Sequence, residues 1–304
     1  MITSNAWRNV AYGREPVGSG RGRSGPNIAD MKPTVAILGA GAMGEILATG
    51  LVRAGWDTDA LVMSARRPER AKEAEMHTGV TTLLDTAQAA ANRDVVVIAV
   101  KPKDVETLLG QVGNVITTDQ IVVSLVAGVP TVVFADALEG VPIVRAMPNT
   151  PAAVDEAMTA YSAGPHAGED ALAAADAVLS AVGETIELSE DLLDAVTAVS
   201  GTGPAYVFLL AEVMTEAAIR EGLPQYAAEK MVHQTVRGAG LLLAESEKSA
   251  FRLRGEVTSP GGTTAAAMHV LDDGGFRALM EDAIRAAAQR SRDLGAAAKG
   301  DADS

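Results

Sequence analysis

Apolar residues in this chain follow two rules, and the switch between them divides it. Up to about residue 188 they fall in short, nearly continuous runs, at 34–38, 60–63, 80–83 (a weak run), 94–100, 120–125, 141–144, 158–163 and 184–188. A run apolar at successive positions suits a strand buried on both faces, as in a parallel sheet covered by helices. Helical spacing fills the gaps, as through Ile46, Leu47, Leu51 and Val52, from near Pro130, and over 168–181. Strand and helix in alternation predict a doubly wound parallel sheet, with ligands at the carboxyl ends of its strands.

From Asp191 the pattern becomes wholly helical. Pro204 opens a long helix that ends near Gly222, and Val207, Phe208, Leu209, Leu210, Val213, Met214 and Ile219 cover more than one of its faces. A helical unit of about 100 residues has few places to bury such a helix, so a subunit interface is expected, in a dimer with interlocking C-terminal helices. Further helices are expected at 225–245, through Leu271 up to Gly274-Gly275, and over 276–292. The expected organisation is a leader over 1–30, a nucleotide-binding unit over 31–190, a helical unit over 191–295 and a tail over 296–304. Leader and tail are too polar and glycine-rich to offset the entropy of ordering. Met31 directly precedes the first strand signal, and a start of translation there is an alternative reading of the leader.

Composition narrows the chemistry. The 304 residues carry a formal charge of -14, which disfavours nucleic acid or an anionic membrane surface as partner. With no cysteine and four histidines lacking metal-ligand spacing, disulfides, a Cys nucleophile and a zinc site are not expected. An uninterrupted apolar run of membrane-spanning length is also missing, and a cytoplasmic location is the default expectation.

The first strand runs directly into Gly39-Ala40-Gly41-Ala42-Met43-Gly44 and then a helix, the setting in which G-x-G-x-x-G signals dinucleotide binding. Gly39 permits the tight turn, Gly41 the approach of the pyrophosphate and Gly44 close packing of helix on strand. An acid after the second strand would select NAD; Ser64-Ala65-Arg66-Arg67 stands there instead. Guanidinium and hydroxyl groups bind a 2'-phosphate, so NADPH is the expected cofactor, with NADH as the lesser option and Arg66 ahead of Arg67. At the fourth strand end, Lys101 in Val100-Lys101-Pro102 either neutralises cofactor phosphate or caps the strand. Asn149, between Pro148 and Pro151, either meets the nicotinamide carboxamide or ribose or forms an Asx-turn.

The helical half offers Thr258-Ser259-Pro260-Gly261-Gly262-Thr263-Thr264 before an alanine-rich helix. Unpaired N–H groups at a helix start carry partial positive charge; Gly261 and Gly262 admit an anion, and Ser259, Thr263 and Thr264 add hydroxyl donors. The plainer reading is a helix cap. No strong acid–base pair accompanies this segment. Hydride transfer to a C=N carbon fits that shortage, since the nitrogen can arrive protonated and position and one hydroxyl can suffice.

The stretch from Arg252 to Leu271 around this segment resembles the signature of the 1-pyrroline-5-carboxylate reductase family. The likeness extends through Gly39–Gly44, Ala99-Val100-Lys101-Pro102, Arg145-Ala146-Met147-Pro148-Asn149-Thr150-Pro151 and Ala198–Tyr206, in the family's order, over about residues 32–293. The resemblance implies a Rossmann-like nucleotide half followed by an all-α dimerisation domain, and NAD(P)H-dependent reduction of 1-pyrroline-5-carboxylate to L-proline, the last step of proline biosynthesis. It implies that the cofactor lies on the glycine turn, Val100-Lys101-Pro102 and the Asn149 loop. It places the substrate carboxylate at Ser259 to Thr264 and the Thr264 hydroxyl near the ring nitrogen. It also implies dimers, assembled further in many members into pentamers of dimers. Thr202 departs from the more usual Ser but keeps the hydroxyl. Two other readings remain: a β-hydroxyacid dehydrogenase, whose interdomain catalytic Lys has no counterpart near Gly203, and a non-catalytic NADPH-sensing protein.

Overall fold

A computed structural model describes residues 32–300, so the expected leader lies outside the described residues. Eight strands form one sheet in the order β3-β2-β1-β4-β5-β6-β7-β8. In chain order these are β1 (Val35–Leu38), β2 (Leu61–Ser64), β3 (Thr82–Leu83), β4 (Val95–Ile98), β5 (Ile121–Ser124), β6 (Ile143–Met147), β7 (Ala157–Ala163) and β8 (Gly183–Glu187). All eight apolar runs are strands. The chain reverses strand order between β1 and β4, which opens a crevice there.

Alternating residues of the central strands enter two separate cores. Val35 and Ile37 of β1, with Val95 and Val97 of β4, pack under α1 (Ala42–Arg53), α2 (Pro68–Thr78) and α6 (Glu169–Leu179). Ala36, Leu38, Val96 and Ile98 pack on the other face under α3 (Thr86–Ala90), α4 (Val105–Val112) and α5 (Thr131–Ala137). Covering both faces explains why the strands read as continuous apolar runs rather than alternating ones.

The sheet departs from the wholly parallel expectation at one place. β6 and β7 pair antiparallel, and β8 then runs parallel to β7. The connection over 148–156 holds one short 3-10 turn, too little chain for the helical crossover that a parallel return requires.

After β8 every element is helical: α7 (Leu193–Val196), a π-turn (Thr197–Gly201), α8 (Gly203–Arg220), α9 (Gln225–Glu245), α10 (Ala250–Glu256), α11 (Thr263–Asp273) and α12 (Phe276–Gly300). Polar contacts tie this half to the sheet. Glu190 accepts from the Thr131 backbone N–H at 2.8 Å and the Thr131 hydroxyl at 2.7 Å, capping α5 from outside, and pairs with buried Arg145 at 3.2 Å. Within the helical half, Ser291 of α12 donates to Asp194 of α7 at 2.6 Å.

Two expectations need correction. α12 continues to Gly300, so residues 296–300 belong to a helix rather than to the tail; residues 301–304 lie outside the described residues. Gly295 does not stop it, because one glycine costs a helix only about 1 kcal/mol and alanines follow. There the helix lies against Gly128, whose carbonyl oxygen would be 2.7 Å from a Cβ on Gly295. Second, the helical stretch Glu190–Arg220 is long and apolar enough to cross a membrane by length and composition, with 6% of that window buried. Glycine, threonine and alanine interrupt its apolar residues, so no unbroken run marks it in the sequence.

Candidate active site

The glycine turn lies at the carboxyl end of β1, and its form follows from what surrounds it. Gly39 has φ +120, and a Cβ there would stand 2.7 Å from the Ala99 carbonyl oxygen at the end of β4. A Cβ on Gly44 would collide with the Gly39 carbonyl oxygen, so α1 can pass this close to β1 only with glycine. Gly41 differs: a Cβ there would meet nothing nearer than the Ala99 oxygen at 4.0 Å. Its side-chain space faces an open cleft and its φ of -91 is ordinary. Two glycines are therefore demanded by the protein itself, whereas the third keeps a space clear at the start of α1, where an anion would meet unpaired N–H groups.

Neighbouring strands hold the turn. The Ser64 carbonyl, at the end of β2, accepts from the Gly39 and Ala40 N–H groups at 3.2 and 2.9 Å. From α2, Arg70 donates to the Ala40 carbonyl at 2.7 Å and pairs with Glu45 of α1. The sequence reading missed Arg70, although its place in the first turn of a helix opened by Pro68, just after the β2 end, was available as a signal.

A cavity of about 500 Å³ extends from this turn. Of the expected cofactor residues, Gly39, Gly41, Ala42, Met43, Ser64, Arg66, Val100 and Lys101 line it; Gly44, Pro102 and Asn149 do not. Gly44 lies in the helix–strand contact, and Pro102 opens the 3-10 turn Pro102–Asp104 that leads into α4. Arg67, placed behind Arg66 in the sequence reading, lines it as well, and Arg70, Asp104 and Thr150 join without having been assigned there from sequence. Lys101 is exposed and forms no ion pair among the described residues.

Asn149 is bonded within the chain. Its side chain is buried; Oδ1 accepts from the Met158 N–H at 3.0 Å and Nδ2 donates to the Ser200 carbonyl at 3.1 Å. The π-turn widens the helix by one residue, and one of its carbonyls meets this amide. Gly201 lies beside it, where a Cβ would come 2.6 Å from Cε of Met147 and push that side-chain end aside. Asn149 thus clamps the β6 loop to the first turns of the helical half.

The expected substrate segment is a turn followed by a helix start. The Gly262 N–H donates to the Ser259 carbonyl at 3.1 Å, with Pro260 and then Gly261, at φ +70, between them, the arrangement of a type II turn. Gly262 is the residue before α11, and a Cβ on it would lie 2.6 Å from the Ser259 hydroxyl oxygen. Thr263 and Thr264 occupy the first two helical positions. Among the described residues the hydroxyls of Ser259, Thr263 and Thr264 make no hydrogen bond within the chain, and no side chain caps α11. A cap would have used one of these oxygens on the helix N–H groups. Three free hydroxyls and an uncapped helix start suit a carboxylate.

Within one chain the two parts stay apart. No residue beyond Thr150 lines the cavity, and α11 packs mainly against α12. Neither α8 nor α11 buries a single residue, and Phe208 of α8 is 65% exposed. No cluster of three or more His, Cys, Asp or Glu residues suited to a metal ion occurs among the described residues.

Comparison with known proteins gives the same division. Residues 190–294 match the family described as pyrroline-5-carboxylate reductase dimerisation, and residues 34–128 the family described as NADP oxidoreductase coenzyme F420-dependent. The pyrroline-5-carboxylate reductase of Mycobacterium tuberculosis is 39% identical over 285 residues, covering 86% of this chain and 96% of that one. Among solved structures, a pyrroline-5-carboxylate reductase from Coxiella burnetii superposes with a TM-score of 0.81 at 37% identity, covering 86% of this chain and 98% of its own. The Plasmodium falciparum pyrroline carboxylate reductase, solved with NADP bound, gives 0.79 at 25% identity with the same coverage.

Proposed function

The chain belongs to the pyrroline-5-carboxylate reductase family, and on that premise we propose how its residues reduce 1-pyrroline-5-carboxylate to L-proline, the last step of proline biosynthesis. The enzyme is an NAD(P)H-dependent oxidoreductase acting on a C=N bond. The observation that carries the site assignment is the uncapped start of α11 with its three unpartnered hydroxyls, in a chain whose other half holds an open dinucleotide cradle.

Bound reduced nicotinamide supplies a hydride to the imine carbon. The N–H groups around Gly261 and Gly262, with the Ser259 and Thr263 hydroxyls, hold the substrate carboxylate. Thr264 orients the ring nitrogen, which accepts or already carries the proton that balances the reaction. Gly39, Gly41, Ala42 and Met43 receive the pyrophosphate on the α1 N-terminus, with Gly44 packing beneath. Val100 and Lys101 form the wall at the end of β4, and Pro102 behind them starts the turn into α4. Ser64 and Arg66 stand where the adenosine ribose would lie, and Arg66 favours NADPH over NADH. Asn149 acts by fixing its loop to the π-turn.

The working enzyme is a homodimer built through α8 and its neighbours, with the substrate segment of one protomer closing the cavity of the other. This accounts for the exposed apolar face of α8 and for the membrane-like composition of Glu190–Arg220 without a membrane. A cytoplasmic location, as for soluble metabolic relatives, belongs to the same reading, as does further assembly into pentamers of dimers.

Purified protein supplied with NADPH and 1-pyrroline-5-carboxylate should consume the reductant and form L-proline in equal amounts; no consumption would reject the reaction. Thr264→Ala should lower kcat by roughly 100-fold, the usual contribution of a positioned acid–base group, while leaving cofactor affinity in place. Full turnover with unchanged substrate affinity would reject the role given to Thr264.

A further inference from the structure

The expected 2'-phosphate ligand, Arg66, already has a partner. Its guanidinium pairs with the Asp104 carboxylate at 2.9 Å. Arg66 follows β2, and Asp104 closes the 3-10 turn after β4. Because β2 and β4 flank β1, this pair crosses the cleft whose floor is the glycine turn, and both residues line the cavity. Arg66 also lines a second open cavity of about 530 Å³ with Leu84, Asp85 and Thr86, so it stands between the two spaces.

The partners differ in freedom. The Asp104 side chain is 19% exposed and that of Arg66 78%. The Asp104 backbone is fixed by its N–H bond to the Lys101 carbonyl at 2.9 Å and by Pro102 at the turn's first position. Asp104 is the N-cap residue of α4, yet its carboxylate makes no capping bond there. Its φ of -99 and ψ of -3 continue the 3-10 turn directly into α4, which leaves the carboxylate to reach across the cleft; the acid is the fixed member and the arginine the exchangeable one.

We propose that Asp104 sets cofactor preference by competing with the 2'-phosphate for Arg66. A cofactor without that phosphate leaves the ion pair closed over the adenosine ribose. A cofactor carrying it must draw Arg66 away from Asp104 and so gives up that ion pair. Asp104 therefore weakens NADPH binding selectively and narrows the gap between the two reduced cofactors. This rests on the cofactor reading above and adds to it the residue that limits discrimination.

The test is a double-mutant cycle on the full-length enzyme, with dissociation constants for NADPH and NADH read from the fluorescence of the bound reduced nicotinamide. Asp104→Asn should tighten NADPH by about three- to fivefold, the scale of an exposed ion pair, and leave NADH within about twofold. Arg66→Gln should weaken NADPH and leave NADH nearly unchanged, and in that background Asp104→Asn should have no further effect on either. Equal tightening of both cofactors, no change with NADPH, or an effect that persists without Arg66 would overturn the proposal. Wild-type protein that binds neither reduced cofactor would instead overturn the cofactor reading on which it rests.

Discussion

The two halves of this chain solve burial in opposite ways. In the sheet half, β1, β2, β4 and β5 are buried at every residue, and each face has its own helical layer. In the helical half, the 18 residues of α8 bury none, although many are Val, Leu or Phe. Burying one such side chain is worth about 1.5–3 kcal/mol, so an exposed row of them represents stability that a single chain does not collect. The first half is complete as one copy; the second leaves its apolar residues uncovered. The same difference runs through the candidate site, because the glycine turn and its cavity are formed within the sheet half whereas the Ser259–Thr264 segment stands largely exposed and apart from it.

The largest expected effect comes from attacking the incomplete half. Leu210→Asp would bury an unpaired charge in the α8 contact. It should yield monomers in analytical ultracentrifugation and lower activity by more than about 100-fold. Cofactor affinity should stay within about threefold of wild type, because the sheet half folds without the interface. Loss of cofactor binding together with dimerisation would break the comparison.

Within the complete half, two glycines of one motif should respond in different ways. Gly44→Ala drives a methyl group into the Gly39 carbonyl and should lower unfolding stability by about 2–3 kcal/mol in denaturant titration. Gly41→Val meets open space, should change stability by less than about 1 kcal/mol, and should weaken NADPH binding by tenfold or more. Equal destabilisation by the two would mean that Gly41 also serves packing.

This pair marks what the sequence could carry. Buried strands and the glycine turn were legible because their residues answer to local rules: β1 is apolar at each position, and Gly39 needs its positive φ. The reversal at β7 was not, since it follows from the length of the 148–156 connection rather than from any residue in the strand. Asn149 read as a cofactor contact because its loop ends at the ligand face; its bond to Ser200 depends on the π-turn, which no periodicity announces. Arg70 and Asp104 escaped notice for a related reason. An arginine on a helix and an aspartate after a proline look like ordinary surface charges until the sheet order brings them to one cleft. The hydroxyls of Ser259 to Thr264 were legible as a motif, whereas their separation from the cavity in one chain was not.

The smallest expected effect concerns Arg53, at the end of α1, and Asp155, bonded at 2.6 and 3.0 Å. The hydrogen bond to Asp155 chiefly, opposed by burial and aided by its charge, raises the Arg53 pKa. A group whose pKa is raised on folding adds stability that is complete below its unfolded pKa and is lost only as pH climbs through the folded one. For an arginine that window lies far above neutrality, so the pair should add no slope to stability between about pH 6 and 9. Both side chains are about two-fifths exposed, and Asp155→Asn should cost less than about 1 kcal/mol in thermal melts. A larger loss would show that the sheet half also depends on surface charge.

The central claim is that the complete half of one protomer works with the open segment of another. It is tested most directly by hybrid dimers of Gly41→Val and Thr264→Ala chains, isolated with two affinity tags. Each variant alone should be nearly inactive. A hybrid contains one site with both defects and one with neither, so it should recover about half the activity of a wild-type dimer. A hybrid as inactive as its parents would place both parts of each site in a single chain and contradict the account.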